Sequence, residues 1–256
     1  MSILDDIVAT TRERIKRDKK AGLPSGRDPK TPFLFEQTLR QPGFHFICEV
    51  KRASPSRGII ADDFPYLDIA REYEEAGAAA VSVLTEPDYF LGSDLYLSEI
   101  REVVRIPLLR KDFTIDQFQI EQAACLGADA ILLICAILSS VQIAGFIKEA
   151  DKLGLSCIVE AHDEVELKTA LAAGARIVGV NNRNLKTFEV DPGNSIRLRK
   201  IAPKETIFVS ESGIRSAEDV KLLHKHGINT VLIGETLMKS ANKKEALADL
   251  RSQVNV

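Results

Sequence analysis

The sequence predicts an α/β fold, a single (β/α)8 TIM barrel behind an N-terminal helical extension, and three observations carry that prediction. Eight short apolar or β-branched runs alternate with amphipathic stretches over about 210 residues from Phe46 onward. Alternation at that spacing implies parallel strands joined by helical crossovers. Five of the amphipathic stretches run into a glycine that can cap a helix: Ala76-Gly77, Leu126-Gly127, Leu153-Gly154, Ala173-Gly174 and His226-Gly227. Charged or amide residues stand at the ends of otherwise apolar runs, as in Ile158-Val159-Glu160 and Val178-Gly179-Val180-Asn181. A length of 256 residues suits two small domains or an open doubly wound sheet as well. Eight units without a linker favour one domain, with 1–45 as the extension and 46–256 as the barrel.

In chain order, Ser2 to Ala21 carries Ile3, Leu4, Ile7, Val8 and Ile15 at helical spacing, with Asp5 and Asp6 early and a basic run late. That order of charge suits a helix dipole, and the basic run, Arg12 to Lys20, reads as a solvated face, with attraction of a phosphate as the alternative. A segment with Pro and Gly, Gly22–Pro32, separates this helix from an apolar patch at Phe33–Leu39. The strands follow at Phe46–Lys51, Ala79–Leu84, Pro107–Arg110, Ala130–Ile134, Ser156–Glu160, Ile177–Asn181, Thr206–Ser210 and Thr230–Ile233. Helices are expected at Leu67–Ala76, Asp94–Val104, Asp116–Leu126, Ser140–Leu153, Glu164–Ala173, Asn194–Ile201, Ala217–His226 and Lys243–Val254.

Composition narrows the function classes. A formal charge of -3 lacks the positive field that nucleic-acid binding needs. No apolar run approaches the roughly 20 residues of a membrane span, and the N-terminus lacks the apolar stretch of a signal peptide, so a cytoplasmic location is expected. Cys48, Cys125, Cys135 and Cys157 show no ligand spacing and read as small buried hydrophobes outside any disulfide. His45, His162, His224 and His226 form no catalytic or metal-binding pattern, and no dinucleotide fingerprint is present.

The most informative stretch is Phe46–Gly58. Side chains alternate along a strand, so Ile47, Glu49 and Lys51 share one face and Phe46, Cys48 and Val50 the other. One face turns ionic where the strand ends. Pro55 ends pairing there, and Ser54 and Ser56 place hydroxyls between Arg52 and Arg57, a loop suited to an anion. A solvated edge strand would explain this stretch alone. It does not explain Lys111, Glu160, Asn181 and Glu211, which sit at the same end of four other strands, where barrel chemistry belongs. Inward lysines and glutamates shift one another's proton affinity. Ser212 and Gly213 after the seventh strand, and Gly234 and Glu235 after the eighth, offer backbone amides at the usual phosphate position of a barrel. Ordinary glycine turns are the plain alternative, and the Glu235 carboxylate must turn away from any phosphate.

These residues resemble the indole-3-glycerol-phosphate synthase family over nearly the whole chain. The resemblance is carried by Glu49-Val50-Lys51 with Ser54-Pro55-Ser56, Leu109-Arg110-Lys111-Asp112-Phe113, Gly179-Val180-Asn181-Asn182-Arg183-Asn184-Leu185, and Ser210-Glu211-Ser212-Gly213-Ile214. Thr85-Glu86 followed by Phe90-Leu91-Gly92-Ser93 is similar to the family's second loop, and the extension fits a helical segment lying over the barrel mouth. The resemblance implies a carboxy-lyase of tryptophan biosynthesis. It closes the ring of 1-(2-carboxyphenylamino)-1-deoxyribulose 5-phosphate with loss of carbon dioxide and water, without a cofactor. It implies Lys111 as the general acid at the ketone oxygen and Glu160 in the later proton removal. Lys51 is implied as an anchor for phosphate or substrate carboxylate and a candidate proton donor in dehydration. By the same resemblance Glu49, Asn181 and Glu211 are expected to orient the lysines and bind polar substrate atoms, Ser54 to contribute from the first loop, and Arg183 to face the substrate's charge. Phe113, Leu132 and Leu185 are expected to form the slot for the anthranilate ring, and Lys51 with Ser212, Gly213, Gly234 and Glu235 to bind phosphate. Cys48, Thr114 and Ala161 depart mildly from the family pattern. A single activity and a monomer are expected.

Two rival readings are another phosphosugar enzyme on the same barrel and a non-catalytic barrel that senses a phosphorylated ligand. The set of Lys111, Glu160 and Asn181 argues against the first. A sensor needs binding groups but no proton relay, so Lys51, Lys111 and Glu160 together argue against the second.

Overall fold

The alternation of polar and apolar side chains decides what each strand buries. Phe46, Cys48 and Val50 point outward into the layer between strands and helices, while Ile47 points inward with Leu109, Ile158, Val209 and Leu232. This computed structural model describes residues 3–26, 31–185 and 187–254 of the 256. Strands β1 (His45–Val50), β4 (Ala80–Leu84), β5 (Leu108–Lys111), β6 (Ala130–Ile134), β7 (Ser156–Ala161), β8 (Ile177–Asn181), β9 (Ile207–Glu211) and β10 (Thr230–Ile233) close into one parallel barrel. Sequential neighbours pair all the way round, and β1 closes the ring on β10 through Ile47 opposite Leu232. Helices α3 (Tyr66–Glu75), α4 (Asp94–Val103), α5 (Gln117–Leu126), α6 (Ser140–Lys152), α7 (Glu164–Ala172), α8 (Gly193–Arg199), α9 (Ala217–Lys225) and α11 (Lys243–Arg251) follow the strands, with a short α10 (Glu235–Met238) after β10.

Helix starts are fixed by side chains that satisfy free amides. Ser93, Asp116, Asp163 and Asn242 cap α4, α5, α7 and α11, and Ser139 and Ser216 form reciprocal capping boxes with Gln142 and Asp219. The five helix-ending glycines all take positive φ. Most predicted boundaries lie within two residues of the observed ones. The exception is α11, which ends at Arg251 where the sequence predicts continuation to Val254.

Three expectations need correction. Pairing does not end at Pro55: Ala53–Ser54 (β2) and Gly58–Ile59 (β3) form a small antiparallel hairpin with Pro55 in its turn, where no ladder amide is required. The extension does not act as one lid. α1 (Ile3–Ala21) lies at the C-terminal mouth, whereas α2 (Leu34–Leu39) plugs the opposite end, packing Phe35 and Leu39 on Ile47, Ala80, Ala130 and Ile177. Ser2, the predicted start of α1, and 27–30 of the Gly22–Pro32 segment lie outside the described residues. Finally, Cys48 and Cys157 are buried, but Cys125 and Cys135 are only half-buried.

Among the described residues, no helix is long and apolar enough to cross a membrane.

Candidate active site

The C-terminal ends of the strands deliver their polar side chains to one cavity of about 570 Å³ at the barrel mouth. Every residue given a catalytic or substrate-binding role from the sequence lines it: Glu49, Lys51 and Ser54; Lys111, Phe113 and Leu132; Glu160, Asn181, Arg183 and Leu185; Glu211, Ser212, Gly213, Gly234 and Glu235; Arg52 of the first loop does not. Register explains the convergence. Lys111 stands beside Leu84, Glu160 beside Ile134 and Glu211 beside Asn181, so the charged positions form one tier above an apolar floor.

Lys111 is the hub of that tier. Its Nζ lies 3.3 Å from Glu211 Oε2, 3.7 Å from Glu160 Oε2 and 4.0 Å from Glu49 Oε2. Glu49 also holds Lys51 through its other oxygen, so the two lysines share a carboxylate. Burial alone would depress the Lys111 ammonium, but Glu211, Glu160 and Glu49 together raise its proton affinity above the ordinary lysine value. The carboxylates part company. Burial works against ionised Glu160, yet contact with His162, the Lys111 charge and the Asn181 amide hold it below the usual carboxylate range. For Glu211, burial and the neighbouring Glu160 and Glu49 charges prevail over Lys111 and push it up to about 7. Glu49 is held low because Lys51 and Lys111 overcome its burial. One buried site thus contains a charged ammonium, a firmly ionised carboxylate and a carboxyl poised near neutrality, which is the equipment of proton transfer.

Two glycines make room for it. A side chain at Gly179 would collide with Glu211 Oε1 and come within 2.9 Å of Ile158 Cγ2, and one at Gly234 would lie 2.5 Å from Glu49 Oε1 and 3.0 Å from Lys51 Nζ. Asn181 is itself oriented: it donates Nδ2 to Glu160 Oε1 at 3.2 Å and accepts from Ser212 Oγ at 2.9 Å and from the Arg183 amide at 3.0 Å. Asp112, next to Lys111, is fixed by Arg14 at 2.7 Å and by Thr85 at 2.8 Å, which ties α1 to the rim.

At the far side, Ser212 (φ 68) and Gly213 (φ 84) form a tight backbone turn beside Gly234 and α10. Arg57 from the hairpin and Arg183 from the loop after β8 add positive charge. The Glu235 carboxylate does not turn away from this pole: it faces Arg57 at 3.1 Å, Lys239 at 2.7 Å and Arg183 at 3.8 Å. The opposite wall is apolar, with Phe90 and Phe113 rings 6.0 Å apart and Ile3, Leu4 and Ile7 contributed by α1.

Sequence reasoning placed Arg57 in an anion-binding loop, and the structure brings it to the cavity; it missed Phe90 and the α1 leucine and isoleucines as lining residues, because loop folding rather than periodicity brings them in. It also passed over His162, although strand alternation places position 162 on the face of Glu160.

A family model described as "Indole-3-glycerol phosphate synthase" matches residues 4–250. The chain is 56% identical over 256 residues to the indole-3-glycerol phosphate synthase of Ruminiclostridium cellulolyticum, covering 97% of this chain and 98% of that one. It is 54% identical to the enzyme of the same name from Endomicrobium trichonymphae, with 97% and 99% covered. Among solved structures, a 3-hexulose-6-phosphate synthase superposes with a TM-score of 0.67 at 14% identity, over 82% of this chain and 100% of that one, a likeness of fold.

Proposed function

The chain belongs to the indole-3-glycerol phosphate synthase family, and from that premise we propose how its converging side chains divide the reaction. It is a carboxy-lyase of tryptophan biosynthesis, converting 1-(2-carboxyphenylamino)-1-deoxyribulose 5-phosphate to indole-3-glycerol phosphate, carbon dioxide and water. The observation that carries the division of labour is the Lys111 ammonium held among three carboxylates at 3.3, 3.7 and 4.0 Å.

Substrate phosphate lies at the Ser212–Gly213 and Gly234–Glu235 amides, with Lys51 and Arg183 supplying charge. The anthranilate ring fills the slot of Phe113, Leu132 and Leu185, and Ser54 closes the hairpin side. Held at both ends, the aromatic carbon bearing the carboxylate stands near the ketone carbon, which replaces a costly encounter by a local attack. As the new carbon–carbon bond forms, the ketone oxygen becomes an alkoxide, and Lys111 gives it a proton. A raised proton affinity does not oppose this, since an alkoxide is a far stronger base than an amine; it guarantees that the acid is charged beforehand. Carbon dioxide then leaves with its bonding electrons returning to the ring. The new hydroxyl departs as water with a proton from Lys51, and Glu160, ionised at rest, takes the proton whose loss completes the indole. Glu49 and Glu211 keep both lysines in place, and Asn181 aims Glu160. The working unit is one catalytic domain, a cytoplasmic monomer acting on a small molecule and not on nucleic acid.

Fluorescence of the indole product on mixing purified protein with the carboxyphenylamino substrate tests the activity. Lys111→Ala is expected to abolish turnover in a folded protein, and a folded, active variant refutes its role. Glu160→Gln is expected to slow single-turnover ring formation by roughly 10²-fold or more. An unchanged rate removes Glu160 from the proton-transfer step.

A further inference from the structure

His162 sits just past the end of β7, two positions beyond Glu160, outside the lining of the cavity. Its ring lies between two carboxylates. Nδ1 is 3.0 Å from Glu166 Oε2, and Nε2 is 3.3 Å from Glu160 Oε1, the oxygen that Asn181 also reaches. The backbone holds the ring there: the His162 amide donates to the same Glu166 oxygen at 2.8 Å, and Asn194 Nδ2 donates to the His162 carbonyl at 2.9 Å. Nε2 is buried and finds no aligned hydrogen bond among the described residues, and the Glu160 charge stands 3.3 Å from it.

This geometry decides the ring's protonation. An ionised carboxylate offers only lone pairs, and a neutral imidazole has only one N–H. A neutral ring would therefore set one nitrogen lone pair against a carboxylate oxygen. A doubly protonated ring makes both contacts attractive. Although burial disfavours the charge, Glu160 and Glu166 raise the ring's proton affinity to about 10.

We propose that His162 is a positioning residue for the reaction: clamped by Glu166, its charged ring braces the Glu160 carboxylate from behind and keeps it ionised and aimed into the cavity. The proposal rests on Glu160 being the proton acceptor. The groups facing this pair are Lys111 from β5, Glu49 from β1, Glu211 from β9, Asn181 from β8, Cys135 beyond β6, and Asp163 and Glu166 at the start of α7. Of these only Lys111 is cationic, so loss of the His162 charge leaves Glu160 among like charges with one counterion. Its proton affinity then rises, and the base is quenched at a higher pH.

Two measurements test this. In the wild-type protein, 15N-labelled histidine spectra should show His162 doubly protonated at pH 8, and a neutral ring at pH 7 overturns the proposal. In His162→Gln, the acid limb of the single-turnover rate should move up by about one pH unit or more, a roughly tenfold loss at a pH on that limb, with KM unchanged. Glu160→Gln separates the two claims. If it leaves the acid limb intact, Glu160 is not the base and the reading beneath fails. If it abolishes the limb while His162→Gln leaves the limb in place, the base stands and the brace is refuted.

Discussion

At the scale of single residues, the site works because small residues yield space and charged ones are shared. Gly179 shows the first effect. Glu211 folds its Oε1 against the bare Cα of Gly179 and leaves that oxygen buried with no partner among the described residues, while Oε2 reaches Lys111. Gly179→Ala should drive the carboxyl off Lys111 and strain the barrel at Ile158, with an overpacking cost of about 1–3 kcal/mol. Denaturant midpoints should fall and turnover with them; unchanged turnover would mean that Glu211 needs no fixed position. Glu235 shows the second effect. Its carboxylate occupies Arg57 and Arg183, cations that a phosphate would also seek, so ligand must share or displace it. Exposed pairs of this kind contribute up to about 1 kcal/mol, so Glu235→Gln should tighten inhibition by inorganic phosphate by about two- to fivefold. An unchanged inhibition constant would show that the carboxylate does not compete.

At the scale of elements, the sequence revealed what local periodicity encodes and hid what distant contacts decide. All eight barrel strands were legible because period-two alternation and short apolar runs survive without context. So were Glu49, Lys111, Glu160, Asn181 and Glu211, since a polar residue ending an apolar strand announces the rim. The hairpin of β2 and β3 was not, because two-residue strands carry no period. Nor was the division of the extension, where α1 and α2 go to opposite ends of the barrel. What sends α1 to the mouth is Arg14, whose guanidinium reaches across to the buried Asp112 at 2.7 Å, with Lys19 on Asp116 at 2.8 Å. Arg14→Met should cost about 2 kcal/mol, as for loss of a charged hydrogen bond, with Arg110 and Thr85 still compensating Asp112. The pH dependence has a definite sign. Despite its burial, Asp112 is held below the ordinary carboxylate range by Arg14 and Arg110. Its contribution is therefore present above the unfolded value near about 4 and lost as pH falls through the lower folded value. The stability gap between wild type and Arg14→Met, from chemical denaturation, should hold at neutral pH and shrink below about pH 4. A gap that is constant to acid pH would mean the helix docks through Ile7 and Ile15 alone.

At the scale of the whole molecule, the barrel keeps chemistry and stability at opposite ends. The buried charges of the site lie at the mouth, where Lys111 faces Glu49, Glu160 and Glu211. The other end is closed by hydrocarbon, with Phe35 fully buried and Leu39 nearly so against the first residues of the strands. Glu36 within that plug turns to the rim, where its oxygens pair with Arg40 at 2.8 Å and Arg176 at 2.7 Å, so the plug carries no uncompensated charge inward. The strands between the two ends are parallel and paired all the way round. Phe35→Ala should then expose a separation of roles. Emptying that site removes a large apolar side chain from a closed space, a loss of about 3–5 kcal/mol. The melting temperature should fall accordingly, while turnover at saturating substrate, measured well below the new transition, stays within about twofold of wild type, as expected when the bottom of a barrel governs stability and the top governs chemistry. A large fall in turnover with the protein still folded would show that the plug sets the tier of charges above it, and that the two ends are coupled through the strands.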